Sequence, residues 1–299
     1  MTLDTLISII LQGLTLGMLY FLTASGLSLI FGLMDVLNFA HGSIFMIGAY
    51  VAWVTTEALA GSLPNSDARF ALALLAGTLA GAGLGALIEW AGIRPLYKRP
   101  IFQVLLTLGL VFVINETVKL LWKADIHSLA RPASLAGVLM ILDRPFPTYR
   151  LFLIGLGLVV LAAMSVLLRR TRLGMIIRAG VENGEMVQAL GIDVRRVFTL
   201  VFALGSALAA LGGAAAAPFI GLVPTMGMDY QLSAFAVVVI GGMGSFAGSA
   251  VGAVLVWLGR AFADYQLSPL VARATVVGLM ALVLLVKPTG LFGVKKGGH

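Results

Sequence analysis

Leu6-Ile-Ser-Ile-Ile-Leu-Gln-Gly-Leu-Thr-Leu-Gly-Met-Leu-Tyr-Phe-Leu-Thr-Ala-Ser-Gly-Leu-Ser-Leu-Ile-Phe-Gly-Leu33 is a run without a single charged residue. A helix needs about 20 apolar residues to cross a bilayer, so this stretch reads as a membrane span. It ends in Asp35-Val-Leu-Asn-Phe-Ala-His-Gly42, a polar interruption, and a second apolar run follows from Ser43 to Leu59. The same pattern continues along the chain. Apolar runs extend over Phe70–Ile93, Ile101–Trp122, Leu151–Leu168, Val197–Ile220, Gln231–Trp257 and Val271–Val286. The run from Gln231 carries Gly241-Gly-Met-Gly-Ser-Phe-Ala-Gly248 in its middle.

Composition agrees with this reading. Of the 299 residues, 60% are hydrophobic and 11% charged, where a soluble domain has about 25% charged. A mean hydropathy of +1.04 leaves too little polar surface for a soluble chain of this size. The 36 glycines suit helices that approach closely in lipid. With no cysteine, disulfides, thiolate metal sites and cysteine nucleophiles are excluded. The net charge of +7 is spread over short loops between apolar runs, which argues against a nucleic-acid surface. Residues 1–68 hold no Lys or Arg, so the first run reads as a retained span and not as a cleaved signal peptide.

Orientation follows from the basic residues. Arg94, Lys98 and Arg99 form one group. Arg169, Arg170, Arg172, Arg178, Arg195 and Arg196 form a second, and Lys287, Lys295 and Lys296 a third; together they are 12 of the 20 basic residues. Placing all three groups in the cytoplasm needs an even number of crossings between groups. The last interval satisfies this if the Gly-rich run turns near Gly241–Gly248 into two short half-spans. The expected fold is therefore all-α: one polytopic membrane domain over residues 1–299, with about eight transmembrane segments. Two pairs of segments join at Gly-rich broken turns, and a cytoplasmic loop spans 169–196.

Polar groups inside a span are costly unless they are satisfied or face a water-filled path. Asn38, His41, Gly42 and Ser43 in the first break, and Gly241, Gly242, Gly244 and Ser245 in the second, are candidates for lining a translocation path. Two other readings stand beside that one. The first break caps freed backbone groups, and the glycines serve helix packing. Glu116 and Lys119, at i,i+3, read as an interfacial pair, and Glu89 as a structural acid. No catalytic set, cofactor motif or metal-ligand spacing is visible, and no Walker sequence occurs.

The arginine-rich loop is too polar to span. Within it Met186, Val187 and Leu190 fall at helical spacing, Asn183 is a candidate N-cap, and Gly191 a helix stop. A short surface helix from Glu182 to Gly191 follows, whose apolar stripe must be buried against lipid or a partner's groove.

Leu14-Thr-Leu-Gly17, Asn38-Phe-Ala-His-Gly42, Arg94-Pro-Leu96, Ala189-Leu-Gly-Ile192, Gly241-Gly-Met-Gly-Ser245 and Pro288-Thr-Gly290, in this order and spacing, resemble the permeases of bacterial ABC importers for branched-chain amino acids, the Liv type, H-like subunit. The resemblance implies four partners besides membrane lipid. These are a second homologous permease, two ATP-binding subunits that carry the hydrolysis, and a periplasmic substrate-binding protein. It also implies a place in the bacterial inner membrane and no bound cofactor. In such importers a Glu-Ala-Ala-x-x-x-Gly loop docks on the ATPase. Here Glu185-Met-Val-Gln-Ala-Leu-Gly191 keeps the Glu-to-Gly spacing, with Met186 and Val187 in place of the alanines. The resemblance therefore implies that Arg178, Glu182, Asn183, Glu185, Met186, Val187, Leu190 and Gly191 couple to the ATPase. The rival reading is an ATP-independent channel or facilitator for small polar solutes.

Overall fold

The computed structural model describes residues 3–141, 144–182, 184–267 and 269–293. The helices in chain order are α1 (Leu3–Met34), α2 (His41–Ala58), α3 (Ser66–Leu87), α4 (Pro100–Trp122), α5 (Thr148–Arg170), α6 (Arg172–Glu182), α7 (Gly184–Ala189), α8 (Val194–Ala216), α9 (Met226–Gly241), α10 (Phe246–Gln266) and α11 (Pro269–Val286). Local chemistry sets several of their ends. Asn65 accepts from the amides of Asp67 and Ala68 at the start of α3. Asp193 does the same for Arg195 and Arg196 at α8, and Ser245 accepts from Gly248 at α10. In each case the side chain takes up amides that lack an intrahelical acceptor. Pro100 opens α4, where its missing N–H costs nothing. α3 runs on through a π turn, Ile88–Ile93, and a 3₁₀ turn, Arg94–Leu96.

One element departs from the all-α expectation. Val138–Ile141 pairs antiparallel with Arg144–Pro147. Pro145 and Pro147 disfavour a helix over the second segment, and two short strands, β1 (Val138–Ile141) and β2 (Arg144–Pro147), pair between α4 and α5.

Helices α1, α2, α3 and α8 form the centre of the bundle, with α10 and α9 closing against α1 and α2. Backbones meet at small residues. At Gly48 of α2 an added Cβ would lie 2.7 Å from the Ala210 carbonyl carbon of α8. Across the bundle, aromatic rings stack in one continuous row. Phe45 of α2 faces Tyr230 of α9 at 4.2 Å, Tyr230 faces Tyr20 of α1 at 4.8 Å, and Tyr20 faces Trp257 of α10 at 4.1 Å. The Arg260 guanidinium caps the row, 4.6 Å from the Trp257 ring.

The outer faces are apolar. Leu79, Trp90, Leu105, Phe112, Leu120 and Val159 are all exposed, a surface no water-soluble monomer carries. Among the described residues six helices are long and apolar enough to cross a membrane: Thr5–Met34, Ser66–Leu96, Pro100–Trp122, Thr148–Arg170, Val194–Ala216 and Phe246–Gln266. The chain is a multi-pass membrane protein. α9 and the apolar part of α11 are shorter, so six spans stand by length and composition where the sequence suggested about eight segments.

Candidate translocation path and coupling surface

Beyond Met34 the backbone turns at Asp35, which adopts a left-handed φ of 55°, and it re-enters helix at His41. The break is mended by side chains. Asn38 Oδ1 accepts from the Ala40 amide at 3.1 Å. Gln231 of α9 accepts from the Gly42 amide at 2.7 Å and donates to the Asn38 carbonyl at 3.3 Å. His41 is fully buried, its Nε2 2.9 Å from the Thr23 carbonyl of α1. Asn38 Nδ2 and His41 Nδ1 have no hydrogen-bond partner among the described residues. Gly42 and Gly227 meet backbone to backbone, so the N-termini of α2 and α9 converge at one place. Ser43 lines a cavity of about 210 Å³ between α4 and α9, along with Phe39, Val111, Met228 and Gln231. Gln231 went unremarked in the sequence, where it only opens an apolar run. Its role depends on contacts 189 and 193 positions away.

At the second break α9 and α10 form a close hairpin. Gly242 and Gly244 carry φ of 105° and 82°, which a side chain adopts only under strain. Gly241 packs on Gly248. The last carbonyls of α9 accept from the chain's own C-terminal segment: Leu291 donates to Ile240 and Phe292 to Gly241, both at 2.9 Å. Gly244 and Ser245 line a separate cavity of about 320 Å³ with Leu33, Arg169, Ile177 and Arg178. Ser43 of the first group and Gly244 and Ser245 of the second therefore line two different cavities, while Asn38, His41, Gly42, Gly241 and Gly242 line neither of the two. The breaks also differ in packing, since α1 and α2 hardly touch whereas α9 and α10 pack along their length.

The arginine-rich loop holds two helices, α6 and α7, and not a single helix from Glu182 to Gly191. Asn183, expected as the cap, lies outside the described residues. Glu182 belongs to α6, and Glu185 to α7. Val187 is 3% exposed and faces the protein, whereas Met186 and Leu190 are 62% and 74% exposed. The expected stripe is thus divided. Residues at i,i+4 share a face while their neighbour lies about 100° around the helix. Arg178 is exposed. Gly191 has a φ of 79°, and Ile192 donates to Val187 at 3.4 Å beyond it, a left-handed helix stop.

Glu89 does more than the sequence suggested. It is fully buried in the π turn after α3 and accepts from Tyr97 Oη and from Thr199 Oγ1 of α8. Arg94 donates to Thr199 Oγ1 at 2.7 Å, and its Nε lies 3.6 Å from Glu89. Burial, reinforced by Glu89, holds the Tyr97 phenol above its usual range. This cluster ties α3 to the first turns of α8, directly after the arginine-rich loop. Glu89→Ala strands two hydroxyls and a guanidinium, and should cost about 3 kcal/mol. Glu89→Gln keeps an acceptor and should recover part of that loss. Thermal unfolding in detergent measures both, and equal midpoints for wild type and Glu89→Ala would refute the cluster's contribution.

Residues 9–286 match the family described as branched-chain amino acid transport system / permease component. The chain belongs to this family. It is 28% identical over 290 residues to the high-affinity branched-chain amino acid transport system permease protein LivH of Salmonella typhimurium, covering 94% of each chain. It is 29% identical over 292 residues to the corresponding permease protein BraD of Pseudomonas aeruginosa, covering 95% of this chain and 94% of that one. The fructose import permease protein FruF of Bifidobacterium longum is 28% identical over 258 residues, 79% of this chain and 65% of that one. No solved structure matches. In this branched-chain permease family member the match runs from the first turns of α1 to the end of α11, so both breaks, the Glu89 cluster and the arginine-rich loop all fall within it.

Proposed function

We propose that the chain is the permease subunit of an ATP-driven importer of branched-chain amino acids in a bacterial inner membrane. The family match over residues 9–286 carries the reading. About eight membrane segments belong to this reading: the six long helices with the shorter α2, α9 and α11, where α9 and α10 are the two half-spans joined at the Gly-rich turn and so keep an even number of crossings between the last two basic groups. Residues 1–299 act as one permease domain. A second homologous permease packs beside it, two ATP-binding subunits dock at the end bearing Arg169–Arg196, and a periplasmic binding protein delivers substrate opposite. Hydrolysis belongs to the ATP-binding subunits.

Coupling runs through α6 and α7, over Arg178, Glu182, Asn183, Glu185, Met186, Val187, Leu190 and Gly191. Exposed Met186 and Leu190 are the contact that a channel without ATP would not need, and they favour the importer over a facilitator. The path passes the first break, at Asn38, His41, Gly42 and Ser43, and leaves by Gly241, Gly242, Gly244 and Ser245. Buried polar atoms without a partner at Asn38 and His41 support this course, because such atoms in a span are expensive unless a solute or water meets them.

Purified with its partner subunits and placed in vesicles, the chain should take up leucine only when ATP and the loaded binding protein are present. Uptake that persists without nucleotide would establish the facilitator instead.

A further inference from the structure

We infer that the cleft between α4 and α9 binds the aliphatic side chain of the transported amino acid, with Ser43 and the N-termini of α2 and α9 at the end that meets its carboxylate. This rests on the permease reading above and gives it a location and a selectivity.

The cleft measures about 210 Å³, and its walls are apolar: Phe39, Leu108, Val111, Phe112, Met228 and Leu232; Phe112, Met228 and Leu232 are exposed on the outer face of this chain, where the second permease would close the cleft. Among its lining residues only Ser43 and Gln231 carry polar side chains. Ser43 is 3% exposed, and its hydroxyl has no hydrogen-bond partner among the described residues while its residue lines the cavity. Gln231 also lines the cleft, but both ends of its amide are engaged, by the Gly42 amide and the Asn38 carbonyl. It therefore holds the backbone and leaves no amide group for a ligand.

Two helices of 18 and 16 residues begin here, and Gly42 touches Gly227. Their partial positive ends converge, an arrangement that favours a carboxylate within a membrane. No Lys, Arg, Asp or Glu lines the cleft. Asp229, in the first turn of α9, is exposed and outside the lining.

These features select a chemical class. A branched alkyl group would be dehydrated against the apolar wall at no polar cost. A sugar carries hydroxyls around its ring and would strand most of them against the same wall. The cleft thus suits an aliphatic amino acid and rejects a polyol, although the family includes a protein named for fructose import.

The chain has no cysteine, so Ser43→Cys places a single thiol on this subunit at the polar end of the cleft. In the assembled, reconstituted transporter a small methanethiosulfonate reagent should label it. Leucine delivered by the binding protein should slow labelling at least threefold, and fructose should leave it unchanged. Val111→Phe fills the cleft and should lower leucine uptake more than tenfold in a complex that still assembles.

Ser43→Cys that resists the reagent, labelling indifferent to leucine, equal protection by fructose, or wild-type uptake by Val111→Phe would each overturn the inference while wild-type ATP-driven leucine uptake stands. Absence of that wild-type uptake would instead fell the permease reading on which the inference rests.

Discussion

Gly48→Leu should leave almost no correctly folded protein in the membrane. A Cβ at Gly48 would sit 2.7 Å from the Ala210 carbonyl carbon, and Gly48's own carbonyl already faces Gly77 of α3 across a gap with no room to widen. Overpacked side chains commonly relax at a cost of about 1–3 kcal/mol. Here the obstacle is backbone on both sides, in the contact among α2, α3 and α8, so relaxation would have to separate helices. We expect a loss of at least about 4 kcal/mol, which places the variant in the rare class of severe packing defects. Gly83→Leu, on α3 with open space where its Cβ would go, should change stability by less than about 0.5 kcal/mol. Size-exclusion profiles and thermal midpoints of the two variants in detergent decide the matter, and similar behaviour would mean that this close approach does not hold the bundle together.

The double variant Met186→Asp with Leu190→Asp should fold normally yet lose ATP-driven uptake by more than tenfold. Both side chains are largely exposed, so the isolated chain gives up little. An ATPase groove lined for apolar groups would instead have to bury two carboxylates, and each factor of ten corresponds to about 1.4 kcal/mol of lost docking energy. Val187→Asp should behave differently, since Val187 is 3% exposed and a charge there destabilises the loop itself. At Gly191 bulk is not the issue. Among the described residues nothing lies within 4 Å of a Cβ placed there, but its φ of 79° costs any other residue about 1 kcal/mol, and asparagine least. Uptake, ATP hydrolysis and retention of the ATPase on purification should be measured together. Full uptake by the double variant would end the assignment of Met186 and Leu190 as the docking contact.

Much of the architecture was legible from the residues. The uncharged run at Leu6–Leu33 is α1 almost to its ends, and the polar stretch from Asp35 is where the chain breaks before α2. Periodicity and length carry such information because lipid imposes one simple rule on every span. Long-range partners were not legible. Gln231 repairs a break in another helix, and nothing local marks it for that work. Glu89 looked like an ordinary acid near a basic loop because Thr199, its partner on α8, lies 110 positions away. The arginine-rich segment was half read. The spacing of Met186, Val187 and Leu190 signalled a helix, but only the fold decides that Val187 turns inward. The strand pair at 138–147 escaped because two prolines and a short polar stretch resemble any loop until a partner strand is seen.

The row of rings from Phe45 through Tyr230 and Tyr20 to Trp257 also governs how the bundle can move. Each stacked contact contributes about 1 kcal/mol beyond the area it buries, and at least one of them must slip if α1, α2, α9 or α10 changes its tilt relative to the others. Those four helices therefore behave as a single stiff block. The breaks at residues 35–40 and 242–245 lie inside it and are fixed joints, not hinges. A transport stroke has to open along the block's borders, where α4, α5 and α11 meet it.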